Sequence, residues 1–382
     1  MDTYKDIRPY RDHEVREVLD RLLQDDAFIA TLSRFRFPRL SRWFSVVLHP
    51  LVRTILKREL AGVIDVHSLQ EKVESYVDRT IRKTTTSVSY EGLDRLQSDR
   101  PYLFMANHRD IVMDPTFVNF AVYHQGLKTP HIAIGDNLLK QPFVSDLMRL
   151  NKSFIVNRSA QGRREKLAAF QQLSGYINHT IADGDSIWIA QREGRAKDGN
   201  DQTDSAIIKM LTISQKGQPF NEVIERLHIV PVSISYEFDP CDGLKAKELY
   251  ETEQHGSYSK EEGEDDRSIV AGIVGFKGRV HLAFGEPLGA EYEDAKQVAA
   301  EVDRHMWQSY RLFPINYLAF KYLQADYEDL AQVELTAAQL GSKAEQADFE
   351  ERLRLCPVEH RDWWLKMYAA PVVNRLRSTQ AN

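Results

Sequence analysis

The sequence predicts an α/β fold, a mixed sheet flanked by helices with helical N- and C-terminal additions. Strand-like and helix-like segments alternate through the middle of the chain. Both ends carry apolar residues at spacings of three and four, which is typical of amphipathic helices. A chain of 382 residues also exceeds what one hydrophobic core usually serves. We therefore expect a helical region at 1–90, an α/β domain at 91–293 and a helical region at 294–382.

Composition indicates an ordinary folded, water-soluble protein, with 42% hydrophobic and 28% charged residues. The net charge of −6 argues against nucleic-acid binding. Apolar runs such as 44–52 end well before the roughly 18 to 20 residues that a membrane span needs. The charged start lacks the layout of a signal peptide, so we expect a cytoplasmic protein. Cys241 and Cys356 are too few and too far apart for a zinc site or a disulfide framework, so we expect buried thiols.

The N-terminal region contains a segment of mixed basic and aromatic residues, from Thr31 to Leu60. It holds seven Arg and Lys against a single acid, Glu59, with Phe35, Trp43 and Phe44 among them. Such a segment suits the headgroup layer of an anionic membrane. The alternative is a solvated helix that packs on its own domain.

Seven strand-like segments follow from residue 86 onward: "TSVSYEGLD", "YLFMA", "HIAIG", "FIVNR", "SIWIA", "HIVPVSISYEF" and "GRVHLAFGEPL". Helix-like segments such as "TFVNFAVYHQG" and "GRREKLAAFQQLSGYINHTIA" lie between them. Residues 250–268 are acidic and lack apolar periodicity, which predicts a mobile, exposed insertion. The C-terminal "DWWLKMYAAPVVNRLR" suits either a membrane interface or core packing.

Polar residues stand at the ends of several predicted strands. The carboxyl ends of the strands in one open sheet converge on one crevice, so these residues could line one pocket. His108 is the natural general base, because an unperturbed imidazole titrates near pH 6.5. Arginines suit a phosphate group, which a guanidinium binds through two points. The residues concerned are Asn107, His108, Asp110, Asp114, Arg158, Glu193, Gly194, Arg195 and Pro231.

Four ordered segments resemble the conserved blocks of the glycerolipid acyltransferases, the glycerol-3-phosphate and 1-acylglycerol-3-phosphate O-acyltransferases. These segments are "FMANHRDIVMDP", "IAIGDNLLKQPFVSDLMRLNKSFIVNR", "IWIAQREGRAKDG" and "IVPVSISYE". Their order and spacing agree with the family over roughly residues 90 to 290. Any one block is weak evidence, and the four together are strong.

The sequence departs from the family pattern at two points. Five residues separate His108 from Asp114, where the family has four, and Asp110 is a competing partner for the histidine. We favour Asp114, because "DP" and the apolar run after it match the family's continuation. The family's "EGTRS" lacks one residue here, so that Arg195 directly follows Gly194 and becomes the matching arginine.

The resemblance implies an acyltransferase that needs no metal or cofactor. His108, oriented by Asp114 or Asp110, would deprotonate a glycerol hydroxyl that attacks the thioester of acyl-CoA or acyl carrier protein. The acceptor would be 1-acylglycerol-3-phosphate or glycerol-3-phosphate. Its expected binding residues are Asn107, Arg109, Arg158, Glu193, Gly194, Arg195 and Pro231.

The resemblance also implies a place and partners in phospholipid synthesis: the inner face of the membrane, with the membrane surface as partner and no nucleic acid. Two alternatives stay open. One is the same chemistry on another lysolipid or aminolipid acceptor. The other is a catalytically silent lipid-binding scaffold, which predicts that His108 is dispensable.

Overall fold

The computed structural model describes residues 2–37 and 39–380. Within them seven strands, β1 to β7, lie at Ser87–Glu91, Leu103–Ala106, His131–Gly135, Ser153–Val156, Ile187–Ala190, Ile229–Tyr236 and Arg279–Phe284. The α-helices of the same residues, α1 to α16, lie at Asp12–Gln24, Asp26–Arg36, Ser45–Glu59, Val66–Thr84, Met113–His124, Pro142–Leu150, Gly162–Ala182, Ser205–Thr212, Phe220–Leu227, Asp242–His255, Glu264–Val274, Ala295–Ser309, Pro314–Leu323, Ala337–Leu340, Lys343–Leu355 and Arg361–Gln380. The predicted α/β class and the helical regions at both ends are confirmed.

The chain divides into two compact units. Residues 1–77 and 131–176 form the smaller unit, and residues 78–130 together with the chain from Ile177 form the larger one. The strands β3 and β4, with the segment between them, therefore belong to the same unit as the N-terminal helices. The boundaries expected near residues 90 and 293 stay predictions.

The smaller unit is a helical cluster with a parallel pair of strands, β3 and β4. Its core gathers one apolar face from each of several helices, because an amphipathic helix buries its apolar stripe against a neighbour. Buried members include Val15, Leu19, Leu22, Leu48, Val52, Leu56 and Phe143.

The larger unit contains a mixed sheet in the order β1-β7-β6-β2-β5. Strand β2 pairs in parallel with both β5 and β6, so that Ala106 lies beside Ala190 on one side and Val232 on the other. Strand β7 is antiparallel to β6 and parallel to β1. The carboxyl ends of β2, β5 and β6 therefore lie at one edge of the sheet.

Strands β2 and β6 are buried along their whole length. Their near-continuous apolar sequences are typical of strands covered on both faces. These two strands form the rigid support for the polar residues that follow them.

The C-terminal helices pack on one another in the larger unit. Phe320, Phe349 and Trp364 are buried in one hydrophobic cluster with Tyr368. The indole of Trp364 and the hydroxyl of Tyr368 both donate to Asp242 Oδ2, at 2.9 and 3.0 Å. Of the two interpretations of "DWWLKMY", the structure therefore supports core packing.

The acidic segment at 250–268 is more helical than its sequence indicates. Helix α10 extends to His255 and helix α11 begins at Glu264, so residues 256–263 alone connect them. The prediction missed both helices because the segment lacks an apolar stripe, yet Glu264 and Ser268 are buried. Its mobility stays a prediction.

Among the helices that the structure describes, none combines the length and apolar character that crossing a bilayer requires.

Gly199 is required where the loop after β5 meets α16. Its φ is +75°, and a Cβ atom there would lie 2.0 Å from the carbonyl oxygen of Met367. Gly126 has a similar φ of +77°, but a Cβ atom there would meet nothing within 4 Å.

We predict that Gly199→Ala lowers the free energy of unfolding much more than Gly126→Ala does. The left-handed backbone costs each variant about 1–2 kcal/mol. The collision with Met367 costs Gly199→Ala about 1–3 kcal/mol more. Denaturant unfolding of both variants measures the difference, and equal losses would show that α16 moves aside freely.

Candidate functional site

The candidate site begins in the loop between β2 and α5, at the carboxyl edge of the sheet. His108 Nδ1 lies 2.8 Å from Asp114 Oδ2. The side chain of Asp114 is fully buried, whereas that of His108 is 15% exposed. The pair therefore joins a buried carboxylate to an imidazole that solvent can reach.

Asp114 is held by three further hydrogen bonds. Its Oδ2 accepts the backbone N–H groups of Arg109 and Asp110, at 2.6 and 2.9 Å. Its Oδ1 accepts the hydroxyl of Tyr236, at 2.7 Å. Burial, followed by the charge of Asp114, raises the pKa of Tyr236 well above its ordinary value of 10. Tyr236 therefore stays a hydrogen-bond donor.

This contact assigns the histidine tautomer. An ionised carboxylate can only accept hydrogen bonds, so Nδ1 of His108 carries the hydrogen that it shares with Asp114. In the neutral ring Nε2 then keeps its lone pair. Asp114 also lies in the first turn of α5, where the helix dipole favours a negative charge.

Asp110, the competing partner, has a different contact. Its Oδ1 accepts the backbone N–H groups of Val112 and Met113, at 3.0 and 2.8 Å, which caps the start of α5. A Cβ atom on Gly272 would lie 2.1 Å from its Oδ2. Burial, with the charge of Asp114, raises the pKa of Asp110. The aspartate in contact with His108 is thus Asp114.

Asn107 was expected to bind substrate, but it is buried between strands. Its amide oxygen accepts the N–H of Ile234, at 2.7 Å, and its amide nitrogen donates to the Ile234 carbonyl and to Asp201, both at 3.1 Å. These bonds tie the end of β2 to β6. They make Asn107 a support for the loop.

Arg109 was also expected to bind substrate, and it too is buried. Its guanidinium contacts Asp201 Oδ2 at 2.5 Å and the carbonyl of Gly199 at 3.1 Å. Burial alone would lower the pKa of Arg109, but the charges of Asp201, Tyr310 and Asp239, with the hydrogen bond to Asp201, together outweigh it and the pKa is raised. Burial raises the pKa of Asp201, which the charge of Arg109 opposes. Contact with a permanently charged guanidinium keeps Asp201 ionised.

The loop after β5 lies against the histidine. The backbone N–H of Ala196 donates to the His108 carbonyl at 2.8 Å. Gly194 adopts a φ of +77°, and Glu193 is exposed. Arg195 is half-buried, and within residues 2–37 and 39–380 its guanidinium has no hydrogen bond or ion pair. Arg195 directly precedes Ala196, which contacts His108. Its guanidinium is therefore a cation that a ligand near His108 could bind.

Pro231 and Arg158 are the two remaining predicted residues. Pro231 is buried inside β6 beside Met105, and its carbonyl accepts the N–H of Gly285. It shapes the sheet and lies before the strand end that carries the site. Arg158 follows β4 in the smaller unit, where its backbone N–H donates to Asp136. Its expected role in phosphate binding stays a prediction.

The sequence interpretation missed several residues that the site uses. Tyr236 had a signal, since it is a hydroxyl at the carboxyl end of a buried strand. Asp201 and Lys245 had no such signal in the sequence. Both contact Arg109, which lies about ninety or more positions away along the chain. Trp188 stands 5.8 Å from the His108 ring, edge to face, and its position on β5 follows only from the strand order.

No group of three His, Cys, Asp or Glu side chains is placed to hold a metal ion, among the residues that the structure describes. Cys241 and Cys356 are both buried and free of disulfides.

The residues of the candidate site lie in a segment that matches a known protein family. Residues 87–235, which include His108, Asp114 and Arg195, match the family model described as Acyltransferase. The chain carries an acyltransferase domain. The resemblance found in the sequence blocks is thereby confirmed.

Two relatives show which named proteins this chain is similar to. A glycerol-3-phosphate acyltransferase of Pseudoalteromonas translucida is 30% identical over 189 residues, which are 49% of this chain and 21% of the relative. A dihydroxyacetone phosphate acyltransferase of Bos taurus is 27% identical over 207 residues, 53% of this chain and 28% of the relative. The chain therefore spans less than a third of the length of these relatives.

Among solved structures, the chain is similar to the crystal structure of a 1-acyl-sn-glycerophosphate (LPA) acyltransferase from Thermotoga maritima. The aligned region covers 80% of this chain and 97% of the Thermotoga chain. The TM-score is 0.38 and the sequence identity is 15%.

A buried acid bonded to the loop after β5 gives a pH-dependent prediction. Asp303 accepts the backbone N–H of Thr203 at 2.6 Å, and burial raises its pKa from 3.8 to about 6. Because the native pKa exceeds the unfolded one, the wild type loses stability as the pH rises through this range, by roughly 3 kcal/mol.

We predict that Asp303→Asn removes this loss. The variant's free energy of unfolding, relative to wild type, should grow by roughly 2 to 2.5 kcal/mol between about pH 4 and about pH 7. Denaturant unfolding at both pH values measures it. A difference that stays constant with pH would contradict the raised pKa.

Proposed function

We propose that the protein moves a fatty acyl group from acyl-CoA or acyl carrier protein to a hydroxyl of glycerol-3-phosphate or 1-acylglycerol-3-phosphate. The contact between His108 and Asp114 inside an acyltransferase domain is the observation that carries the proposal. Glycerol-3-phosphate is favoured, because several relatives are named for that acceptor. Dihydroxyacetone phosphate is a second candidate, because other relatives are named for it.

In this proposal Nε2 of His108 takes the proton of the acceptor hydroxyl. The oxygen attacks the thioester carbonyl and forms the new C–O bond, the C–S bond breaks, and the imidazolium returns the proton to the leaving thiolate. Asp114 stabilises the imidazolium and holds the ring in place. The reaction needs no covalent enzyme intermediate.

Arg195 is proposed to bind the acceptor's phosphate. It is a half-buried cation without an ion pair in the described residues, and the next residue bonds to the His108 carbonyl. A guanidinium presents two parallel donors to phosphate oxygens. Binding the phosphate there would bring an adjacent glycerol hydroxyl near His108.

We also propose that the protein works on the inner face of a membrane. Supporting evidence lies in the smaller unit, in a surface that we call the basic aromatic surface: Arg34, Phe35, Arg39, Leu40, Arg42, Trp43, Phe44, Val46, Val47 and Leu51. Trp43 is 80% exposed and Val46 85% exposed. Clustered exposed apolar side chains of this kind mark interaction sites.

Helix α3 has two apolar faces. One packs in the core of the smaller unit, and the other supports a contact with a partner outside the protein. Leu48, Val52 and Leu56 are buried in the core of the smaller unit. Val47 and Leu51 face outward and are 71% and 51% exposed. A helix that only covered its own domain would be polar on that outer face.

The charges beside these apolar residues indicate an anionic membrane. Arg34, Arg39 and Arg42 are exposed and have no ion pair in the part of the chain that the structure describes. Basic residues near an anionic surface contribute about 1 kcal/mol each. Arginines beside aromatic residues suit the headgroup layer, where the rings enter the acyl boundary.

We predict that acyl transfer depends on His108 and Asp114 and not on Asp110. Loss of general base catalysis should lower the rate of His108→Ala by roughly 10² to 10⁴. Asp114→Asn should also fall steeply, because an amide does not stabilise the imidazolium as a carboxylate does. Asp110→Asn should keep most of the activity, since the amide oxygen can still cap α5. The rates are measured as transfer of a labelled acyl group from acyl-CoA, and in parallel from acylated acyl carrier protein. The acceptors are glycerol-3-phosphate, 1-acylglycerol-3-phosphate and dihydroxyacetone phosphate.

The matched control is His179→Ala, which removes an exposed histidine 3.2 Å from Asp183. It should leave the rate unchanged. Full activity in His108→Ala would rule out the proposed base. Absence of transfer to all three acceptors would point instead to another lipid acceptor or to a lipid-binding scaffold.

We predict that the basic aromatic surface binds anionic vesicles. Co-sedimentation with phosphatidylglycerol vesicles should exceed that with phosphatidylcholine vesicles. It should weaken between about 0.1 M and about 1 M salt, which shortens the Debye length from about 10 Å to about 3 Å. The triple variant Trp43→Ser, Phe44→Ser and Val47→Ser should release most of the bound protein.

A control triple variant uses another exposed apolar group, Val270→Ser, Val274→Ser and Phe276→Ser in and beside α11. It should keep vesicle binding near the wild-type level. Equal loss in both triple variants, or no preference for anionic vesicles, would overturn the assignment of this surface.

A further inference from the structure

Arg109, the residue after the proposed base, is bound through its N–H, its carbonyl and its side chain. The N–H donates to Asp114 Oδ2, as described above. The carbonyl accepts from Lys245 Nζ at 2.7 Å. The guanidinium bonds to Asp201 and to the Gly199 carbonyl. The three contacts come from α5, α10 and the loop after β5.

The two ionic contacts are nearly free of water. Arg109 is 5% exposed and Asp201 is 3% exposed. Lys245 is 1% exposed and forms an ion pair with Asp239, which is 9% exposed. Removing one partner of a buried pair leaves an uncompensated charge, so such pairs hold their geometry strongly.

The burial of Arg109 leaves its guanidinium little access to a substrate. Its plane also lies over the ring of Tyr310, with 5.4 Å between the guanidinium carbon and the ring centroid. Every contact of Arg109 thus points into the fold, while the imidazole of the preceding residue is the group that reaches solvent.

We propose that Arg109 is a positioning residue that fixes the backbone of His108 through Asp201 and Lys245, rather than a ligand of the acceptor. The expected effects on kcat and KM rest on the proposed function. An imidazole base must sit within hydrogen-bond reach of the hydroxyl, and a shift of about 1 Å in such a group costs about 10² in rate. Asp201 and Lys245 therefore affect turnover without contacting the reacting atoms.

The test compares Arg109→Lys, Asp201→Asn and Lys245→Met with Arg8→Met. Arg8 is the matched control, a buried arginine in the smaller unit that pairs with Asp2 and Glu14. The three site variants should lower kcat at least about tenfold, with the acceptor KM changed by less than about twofold, because they disturb chemistry and not binding. Arg8→Met should leave both unchanged.

A second measurement does not depend on activity. Amide hydrogen exchange of residues 105–115 should speed up at least about tenfold in Asp201→Asn and Lys245→Met, and stay unchanged in Arg8→Met. If a single variant unfolds, the pair Lys245→Met with Asp239→Asn removes both charges together. This double variant should fold and still exchange faster in that segment.

The outcomes separate the two proposals. If the wild type transfers no acyl group, the proposed function fails, and hydrogen exchange alone decides the role of Arg109. Unchanged exchange in Asp201→Asn and Lys245→Met would overturn the positioning role. So would a rise in acceptor KM at constant kcat in Arg109→Lys, which would make Arg109 a substrate ligand.

Discussion

The candidate site depends on a fully buried carboxylate, Asp114, whose charge must be satisfied within the fold. A buried charge is costly unless it is paired and hydrogen-bonded. Asp114 receives the His108 imidazole, two backbone N–H groups of the same loop and the hydroxyl of Tyr236. These donors come from the loop after β2 and from β6, while Asp114 itself lies in the first turn of α5. Satisfying one carboxylate therefore fixes how a loop, a strand and a helix meet.

Other buried charges surround this centre. Asp110 caps α5, Asp201 holds Arg109, and Asp239 pairs with Lys245. Burial lowers the pKa of a neighbouring lysine, Lys277, to about 8, while the charges of Asp110 and Asp239 oppose that change. Pairs of this kind add little net stability, but separating one leaves an uncompensated buried charge, so the pair resists changes in its geometry. Here that geometry concerns the few residues on each side of His108.

The sequence predicted the seven strands and the polar residues at their ends, because buried strands and their terminating residues leave local patterns. Asp114 was favoured over Asp110 on the strength of the "DP" that follows, and the structure gives it the contact with His108. The family resemblance led us to expect Asn107 and Arg109 to bind substrate, and both are buried. Their burial depends on Ile234 and Asp201, far along the chain, and local sequence carries no sign of such partners. The end of α10 and the start of α11 were missed because residues 250–268 are acidic and show no apolar periodicity.

Asp114 is expected to hold His108 in the tautomer whose Nε2 can accept a proton. Nitrogen-15 NMR of the histidine rings, with His108 assigned by its loss in His108→Gln, tests this most directly. The neutral ring should carry its hydrogen on Nδ1, and Asp114→Asn should change this signal while Asp110→Asn should not. A neutral His108 protonated on Nε2, or a signal indifferent to Asp114→Asn, would contradict it.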